Sequence, residues 1–253
     1  MKEIFFLSGI PRAGNTLLSS IINKNKNIKV SANTVLADAI YQLNIIKEYD
    51  IFNNFPDHKS LNNIINNVFN NYYRDWEVDY IIDRGPWGTP ANLLYLKKII
   101  KKPKFILLHR PLLDCLASII NIEKPEKVEA RCHILMQDDG TYGPGSGMLA
   151  KYLRSMKNII NSKEKYKIIN YRDLVSYPNE TIKTIGTFLN VPIKYNKNFK
   201  QFSTNGIKYN DKIYNVNYHT IRTKELKHSC TETEYILPKS IINKYEGMDI
   251  EWI

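Results

Sequence analysis

Cysteine is scarce in this chain: there are three among 253 residues, Cys115, Cys132 and Cys230. Their odd number and wide spacing indicate neither a disulfide framework nor a zinc knuckle, and they fit a reducing, cytoplasmic setting. Long apolar runs are also missing, and none approaches the roughly 18 residues that a membrane-spanning helix needs. Met1-Lys2-Glu3 leads straight into an apolar segment, so no signal peptide is expected. With no internal repeat and no Gly-, Ser- or Pro-rich linker, one domain over residues 1–253 is the expected organisation. The formal net charge is +11, yet no compact Lys/Arg tract carries it. Scattered basic residues without a known module argue against a nucleic-acid partner, whereas a polyanionic small ligand explains part of the excess. The remaining lysines read as solvated surface, and nothing in the composition sets an oligomeric state.

What is present is a hydrophobic fraction of 43%, enough for a real core, and one stretch that organises the rest, Phe5 to Leu18. Ile4 to Leu7 read as a short buried strand, and Thr16 opens an apolar pattern with helical spacing. Strand, glycine-bearing turn and helix together make a phosphate cradle. The first N–H groups of a helix have no partner within it, and the helix dipole favours an anion there. Pro11, Arg12, Ala13, Gly14, Asn15 and Thr16 form this cradle, with Arg12 adding a cation and Thr16 a hydroxyl. The spacing Gly9-x4-Gly14-x-Thr16 is that of a P-loop, except that Asn15 stands where nucleotide-triphosphate enzymes carry lysine. The cation has moved back to Arg12, which argues for a ligand other than Mg-ATP. Taken by itself, the stretch is equally an ordinary strand-to-helix turn.

Strands are expected at Ile28–Val30, Tyr80–Ile82, Lys104–Arg110 and Lys167–Ile169. Helices are expected at Thr16–Asn25, from Thr34 to Lys47, Ser60–Arg74, Thr89–Ile100, from Pro111 onward, Met148–Ile160 and Glu180–Leu189, with a loop over Asp50–Asp57. Gly140 to Gly147 holds four glycines and reads as a connector or a lid. Strands alternating with helices predict an α/β, P-loop NTPase-like three-layer fold, a central parallel sheet of about five strands with helices on both faces. Ligands of such sheets sit beyond the carboxyl ends of the strands. Arg12, Asp83, Arg84, His109 and Arg110 all follow a strand directly and should crowd that edge.

Arg110 at a strand end and Ser118 two helical turns on can share one anion, the guanidinium forking onto its oxygens and the hydroxyl donating. The plainer alternative pairs Arg110 with Asp114 on the same helix. Taken together, these pieces resemble the P-loop sulfotransferase family. Gly9 to Leu18 looks like its 5′-phosphosulfate loop, and Phe105 to Ser118 like its 3′-phosphate motif. Ile169 to Pro178 is similar to the family's Tyr-Glu-Asp-Leu-x-x-x-Pro stretch, and Phe188-Leu189 to the Phe-Leu-Gly that follows. Tyr218-His219-Thr220-Ile221-Arg222 resembles the His-x-Ile/Val-Arg segment of bacterial-type members. Local pattern is closest to protein-tyrosine sulfotransferases and those bacterial-type relatives.

The resemblance implies 3′-phosphoadenosine 5′-phosphosulfate (PAPS) as co-substrate, PAP as product, no metal, and in-line transfer of a sulfuryl group to a hydroxyl or amine of a small-molecule or peptide acceptor. It implies that Arg12 and the loop amides hold the 5′-phosphate, that Arg110, Ser118 and Arg222 hold the 3′-phosphate, and that Arg84 reaches the reacting sulfate. A salt bridge to Asp83 is the alternative for Arg84. Tyrosine-sulfating relatives place a glutamate base where Asn33 stands, and an amide cannot accept a proton as a carboxylate does. Asp83 is the expected substitute, with His109 and His219 behind it, while His58, His133 and His228 read as structural. Tyr209, Asp211 and Tyr214 lie in a polar stretch that could fold over donor or acceptor, and Tyr72, Tyr73, Trp76 and Trp87 could line an acceptor cleft. Two enzymatic and binding alternatives remain: a P-loop kinase with Asp83 holding magnesium, and an inactive PAP/PAPS-binding protein.

Overall fold

The computed structural model describes residues 2–137, 147–198, 200–221, 226 and 232–249. Five short apolar segments form one sheet: β1 (Glu3–Leu7), β2 (Ile28–Asn33), β3 (Tyr80–Arg84), β4 (Lys104–His109) and β5 (Lys165–Asn170). Their order is β2-β3-β1-β4-β5 and every ladder is parallel. Parallel neighbours need crossover connections, and here helices supply them. They are α1 (Asn15–Ile22), α2 (Leu36–Ile45), α3 (Asp50–Asn54), α4 (His58–Asn66), α5 (Val68–Tyr72) and α6 (Pro90–Ile99). Then follow α7 (Leu112–Glu123), α8 (Val128–Met136), α9 (Met148–Ile160), α10 (Tyr171–Ser176), α11 (Pro178–Leu189), α12 (Thr233–Ile236) and α13 (Lys239–Tyr245). This is the expected α/β, P-loop-like fold.

The core lies on both faces of β1 and β4, whose central residues are fully buried. The Phe6 ring meets those of Phe69, Trp87 and Phe105 at centroid distances of 5.8, 5.2 and 5.5 Å. Burying one such ring stabilises the fold by about 2–3 kcal/mol. At the opposite, amino-terminal end of β1 and β3 a cavity of about 270 Å³ opens beside Lys2, Ile4 and Tyr73. The Lys2 ammonium there is bound to the carbonyls of Tyr73 and Arg74 at 2.8 and 2.7 Å, so that end is a structural clasp.

Several expected boundaries move, each for a local reason. The 50–57 segment contains a helical turn, α3, which Asp50 begins with the acidic residue that a helix start favours. The expected helix over Ser60–Arg74 is two helices, because the Asn67 side chain donates to the Asn63 carbonyl at 2.9 Å and competes with the backbone. Helix α8 has no counterpart in the expected pattern: its apolar residues Ile134-Leu135-Met136 run together instead of recurring at helical intervals. Helix α9 spans the expected residues. Of the glycine-rich segment, residues 140–146 lie outside the described residues.

Candidate active site

The carboxyl ends of the strands open onto a cleft of about 1620 Å³. One wall is the turn after β1. Arg12 adopts φ 71° and Gly14 φ 96°, and a run of such turns aims backbone N–H groups into a concavity that suits an anion. Helix α1 starts at Asn15 with no side-chain cap and no acidic residue in its first turn, so its dipole and first N–H groups face the cleft uncompensated. Gly14 also has no room for a side chain, since a Cβ there would come within 2.7 Å of the Tyr171 ring. Asn15 turns back into the loop, donating to the Ile10 carbonyl at 2.8 Å, and its Oδ1 has no partner among the described residues. That Oδ1 takes up the space that a Cβ on Gly9 would need. Asn15 therefore braces the loop from inside, and only its backbone N–H remains to meet a ligand.

Arg110 closes the next wall. It is almost fully buried and lies 4.8 Å over the Tyr171 ring, a cation–π contact. Its Nη1 donates to the Arg12 carbonyl at 3.3 Å, while its Nε lies 3.5 Å from Asp114. The plain same-helix pairing is thus made, and the guanidinium still reaches the loop. Arg12 Nε donates to the Ser118 hydroxyl at 3.3 Å, and its Nη1 donates to the Tyr218 carbonyl. The loop after β1 and the start of α7, far apart in sequence, meet at one rim. The start of α7 differs from that of α1: Asp249 accepts the Leu112 N–H at 3.1 Å and occupies it. Asp249 also binds His109 Nε2 at 3.0 Å, which holds that histidine away from the cleft.

Segment 208–221 crosses the mouth of the cleft. Here Asp211 receives the His219 N–H and Nδ1 at 2.8 and 2.6 Å, and Tyr209 stacks on the imidazole with centroids 3.6 Å apart. Arg84 Nη1 donates to the Tyr209 hydroxyl at 2.8 Å, so Arg84 pairs with Tyr209 and points into the cleft. Because a carboxylate only accepts, His219 carries its proton on Nδ1 and presents a bare Nε2. Burial lowers the His219 pKa from 6.5, with the nearby charges of Arg84 and Arg12 adding to the effect against the pull of Asp211. At the end of α7, Glu123 is gripped by Arg131 of α8 through two bonds of 2.6 and 2.7 Å, and it accepts the Tyr218 hydroxyl.

Asp83 departs from expectation. It has no exposed surface, and its carboxylate accepts from Tyr73, from Trp87 Nε1 at 2.8 Å and from Thr34 at 3.1 and 3.2 Å. Burial pushes its pKa up to about 7, against the pull of those three donors. It lies behind the cleft wall, where no acceptor reaches it, and the expectation that it takes the proton is corrected. Ala13 is corrected as a ligand contact as well: it is fully buried and spends its N–H on the Ile10 carbonyl at 3.0 Å. Tyr72, Tyr73, Trp76 and Trp87 do not line the cleft; Tyr73 and Trp87 belong to the core. The cleft aromatics are Tyr152, Tyr171, Tyr209, Tyr214, Tyr218 and Tyr235. Pro11, Arg12, Gly14, Asn15, Thr16, Arg84, Arg110 and Ser118 line it, and Arg222 falls outside the described residues. His133 binds the Tyr245 hydroxyl at 2.7 Å and His58 packs on Phe52, both structural roles, whereas His228 lies outside the described residues.

Comparison with known proteins follows this geometry. No curated protein matches the chain. Among solved structures, the sulfotransferase domain from the curacin biosynthetic pathway is 16% identical with a TM-score of 0.54, covering 100% of this chain and 93% of its own. The sulfotransferase domain of the Synechococcus PCC 7002 olefin synthase is 14% identical with a TM-score of 0.52, covering 100% and 90%. A sulfotransferase from Alicyclobacillus acidocaldarius is 14% identical with a TM-score of 0.53, covering 76% and 82%. At such identities these likenesses speak for the fold. The family itself is set by a model described as "Sulfotransferase family", which matches residues 5–195, and to that family the chain belongs.

Proposed function

We propose that this sulfotransferase takes PAPS as its donor, held at two anion sites on one rim, and passes the sulfuryl group to an acceptor hydroxyl or amine with His219 as the base. One observation carries the reading: Arg12 from the first loop touches Ser118 at 3.3 Å, while Arg110 reaches back to the Arg12 carbonyl at 3.3 Å. A single bisphosphorylated nucleoside fits groups that converge so closely. The uncapped start of α1 suits a 5′-phosphate, and Arg110 with Ser118 suits a 3′-phosphate, whose binding pulls Arg12 off Ser118 and the Tyr218 carbonyl.

The donor supplies an activated sulfuryl group, and the chain supplies position and charge. Arg12 and the loop N–H groups stabilise negative charge growing on the leaving phosphate oxygen. Arg84, one residue beyond Asp83 and on the opposite side of β3, faces the reacting group. His219 Nε2 takes the acceptor proton, and Asp211 holds the tautomer and steadies the imidazolium that forms. This arrangement makes a base at Asn33 unnecessary. A kinase would need the Asp83 carboxylate at the cleft to hold magnesium, and that group is buried under three donors.

Calorimetry with PAP, ADP and Mg-ATP tests the donor. PAP is expected to bind without magnesium and at least about tenfold more tightly than ADP, because only PAP carries the 3′-phosphate. A preference for Mg-ATP would overturn the reading.

A further inference from the structure

The far wall of the cleft is built by a strand irregularity. The β2–β3 register slips between Val30 and Asn33, so β2 carries one extra residue there and Asn33 falls opposite Arg84. Bulges of this kind re-aim a side chain, and both Asn33 and Arg84 line the cleft. From α9, Tyr152 donates its hydroxyl to Asn33 Oδ1 at 2.7 Å. Burial pushes the Tyr152 pKa to about 12, so it keeps the proton it gives. One turn on, Ser155 fixes this helix: its hydroxyl lies 2.9 Å from that of Ser8 and accepts the Gly88 N–H at 2.8 Å.

Tyr152 takes up the oxygen side of the Asn33 amide. Its nitrogen, with two hydrogens, is left without a partner among the described residues. Arg84 is donor-only by chemistry, and exposed Lys208, which also lines the cleft, adds an ammonium with no ion-pair partner among the described residues. The cleft's own carboxylates are mostly spoken for. Asp211 serves His219 and Glu123 serves Arg131, while Glu232 precedes α12, whose Thr233 binds Asp114 on the Arg110 side. Around Asn33, therefore, an amide nitrogen and two cations, Arg84 and Lys208, face exposed Asp38 of α2, whose charge reaches Tyr152.

We propose that Asn33, Arg84 and Lys208 form an acceptor subsite that selects hydroxyl compounds that also carry a carboxylate. The proposal rests on the sulfotransferase reading above. A carboxylate gives these donors charge-assisted hydrogen bonds that an alcohol or phenol alone cannot give. A carboxylate satisfies them, anchors the molecule on the β2 side and turns its hydroxyl toward His219.

The test loads the protein with PAP and titrates two matched pairs by calorimetry: 4-hydroxyphenylacetate against p-cresol, and 3-hydroxybutyrate against 2-butanol. The carboxylate member of each pair is expected to bind at least about tenfold more tightly, the worth of one charge-assisted hydrogen bond. Asn33→Leu and, separately, Lys208→Ala are expected to cut that ratio several-fold, with PAP affinity unchanged. Lys208 is exposed, so its variant keeps the test informative if Asn33→Leu misfolds. Equal binding within the pairs, no binding by either member, or a ratio unmoved in both variants overturns the subsite while leaving the donor reading in place. Failure of the wild-type protein to bind PAP brings down the donor reading, and the subsite with it.

Discussion

The two ends of the cleft are built by different means. At the proposed donor end the chain uses largely backbone: positive φ at Arg12 and Gly14, a bare helix start at Asn15, and glycines packed where no side chain fits. At the proposed acceptor end it uses paired side chains, His219 on Asp211, Arg84 on Tyr209 and Asn33 on Tyr152. The packed glycines leave the loop after β1 little latitude in conformation or in residue identity. The paired side chains stand apart from it, so substrate preference can change there without disturbing that loop.

Substitutions sharpen the contrast, the largest effect first. His219→Ala is expected to cut sulfuryl transfer by about 1000-fold, the usual worth of a positioned base, with PAP affinity nearly unchanged. The wild-type rate should fall on the acid side with a midpoint below 6.5, because His219 must be neutral to accept a proton, and the variant should lose that limb. Arg12→Ala should lower the rate by about 100-fold or more through lost stabilisation of the leaving oxygen, read in single-turnover assays. Arg110→Ala should weaken PAP binding by about 100-fold in calorimetry, since it removes a charged donor to the 3′-phosphate. If the acceptor-end variant weakened PAP as much as the donor-end variants do, the division between the two ends would fail.

A smaller effect concerns Asp83. Its folded pKa of about 7 lies above the ordinary 3.8, so the folded chain holds a proton that the unfolded chain releases. That contribution to stability is full below about pH 4 and is lost as pH rises through about 7. Asp83→Asn, neutral throughout, should flatten this part of the pH dependence in thermal unfolding. An unchanged slope would mean that the three donors hold the carboxylate ionised despite its burial.

The turn between β1 and α1 was legible in the sequence because strand, glycines and helix lie within fourteen consecutive residues, Phe5 to Leu18. The strands were legible as apolar runs, and the spacing of Arg110 and Ser118 survived folding as a shared rim. Asp83 misled for a reason that strand geometry contains. Successive residues on a strand point to opposite faces, so Asp83 and Arg84 could not both face the cleft. Tyr73 and Trp87, two buried hydrogen-bond donors near it in sequence, were the signal that Asp83 was the one turned inward. The pairing of Asp211 with His219 and the bulge at Asn33 depend on tertiary contacts with no periodic trace, and only coordinates bring them out.

The placement of β1 between β3 and β4 has a consequence for how the protein is made. Its neighbours are residues 80–84 and 104–109, and the ring that confines Gly14 belongs to Tyr171. As the chain leaves the ribosome, β1 lacks both neighbours until those later segments arrive, and parallel sheets of this kind close slowly. The loop after β1 is therefore translated well before the elements that shape it. An amino-terminal fragment that stops short of Lys104 carries the whole motif in its letters and should bind no nucleotide.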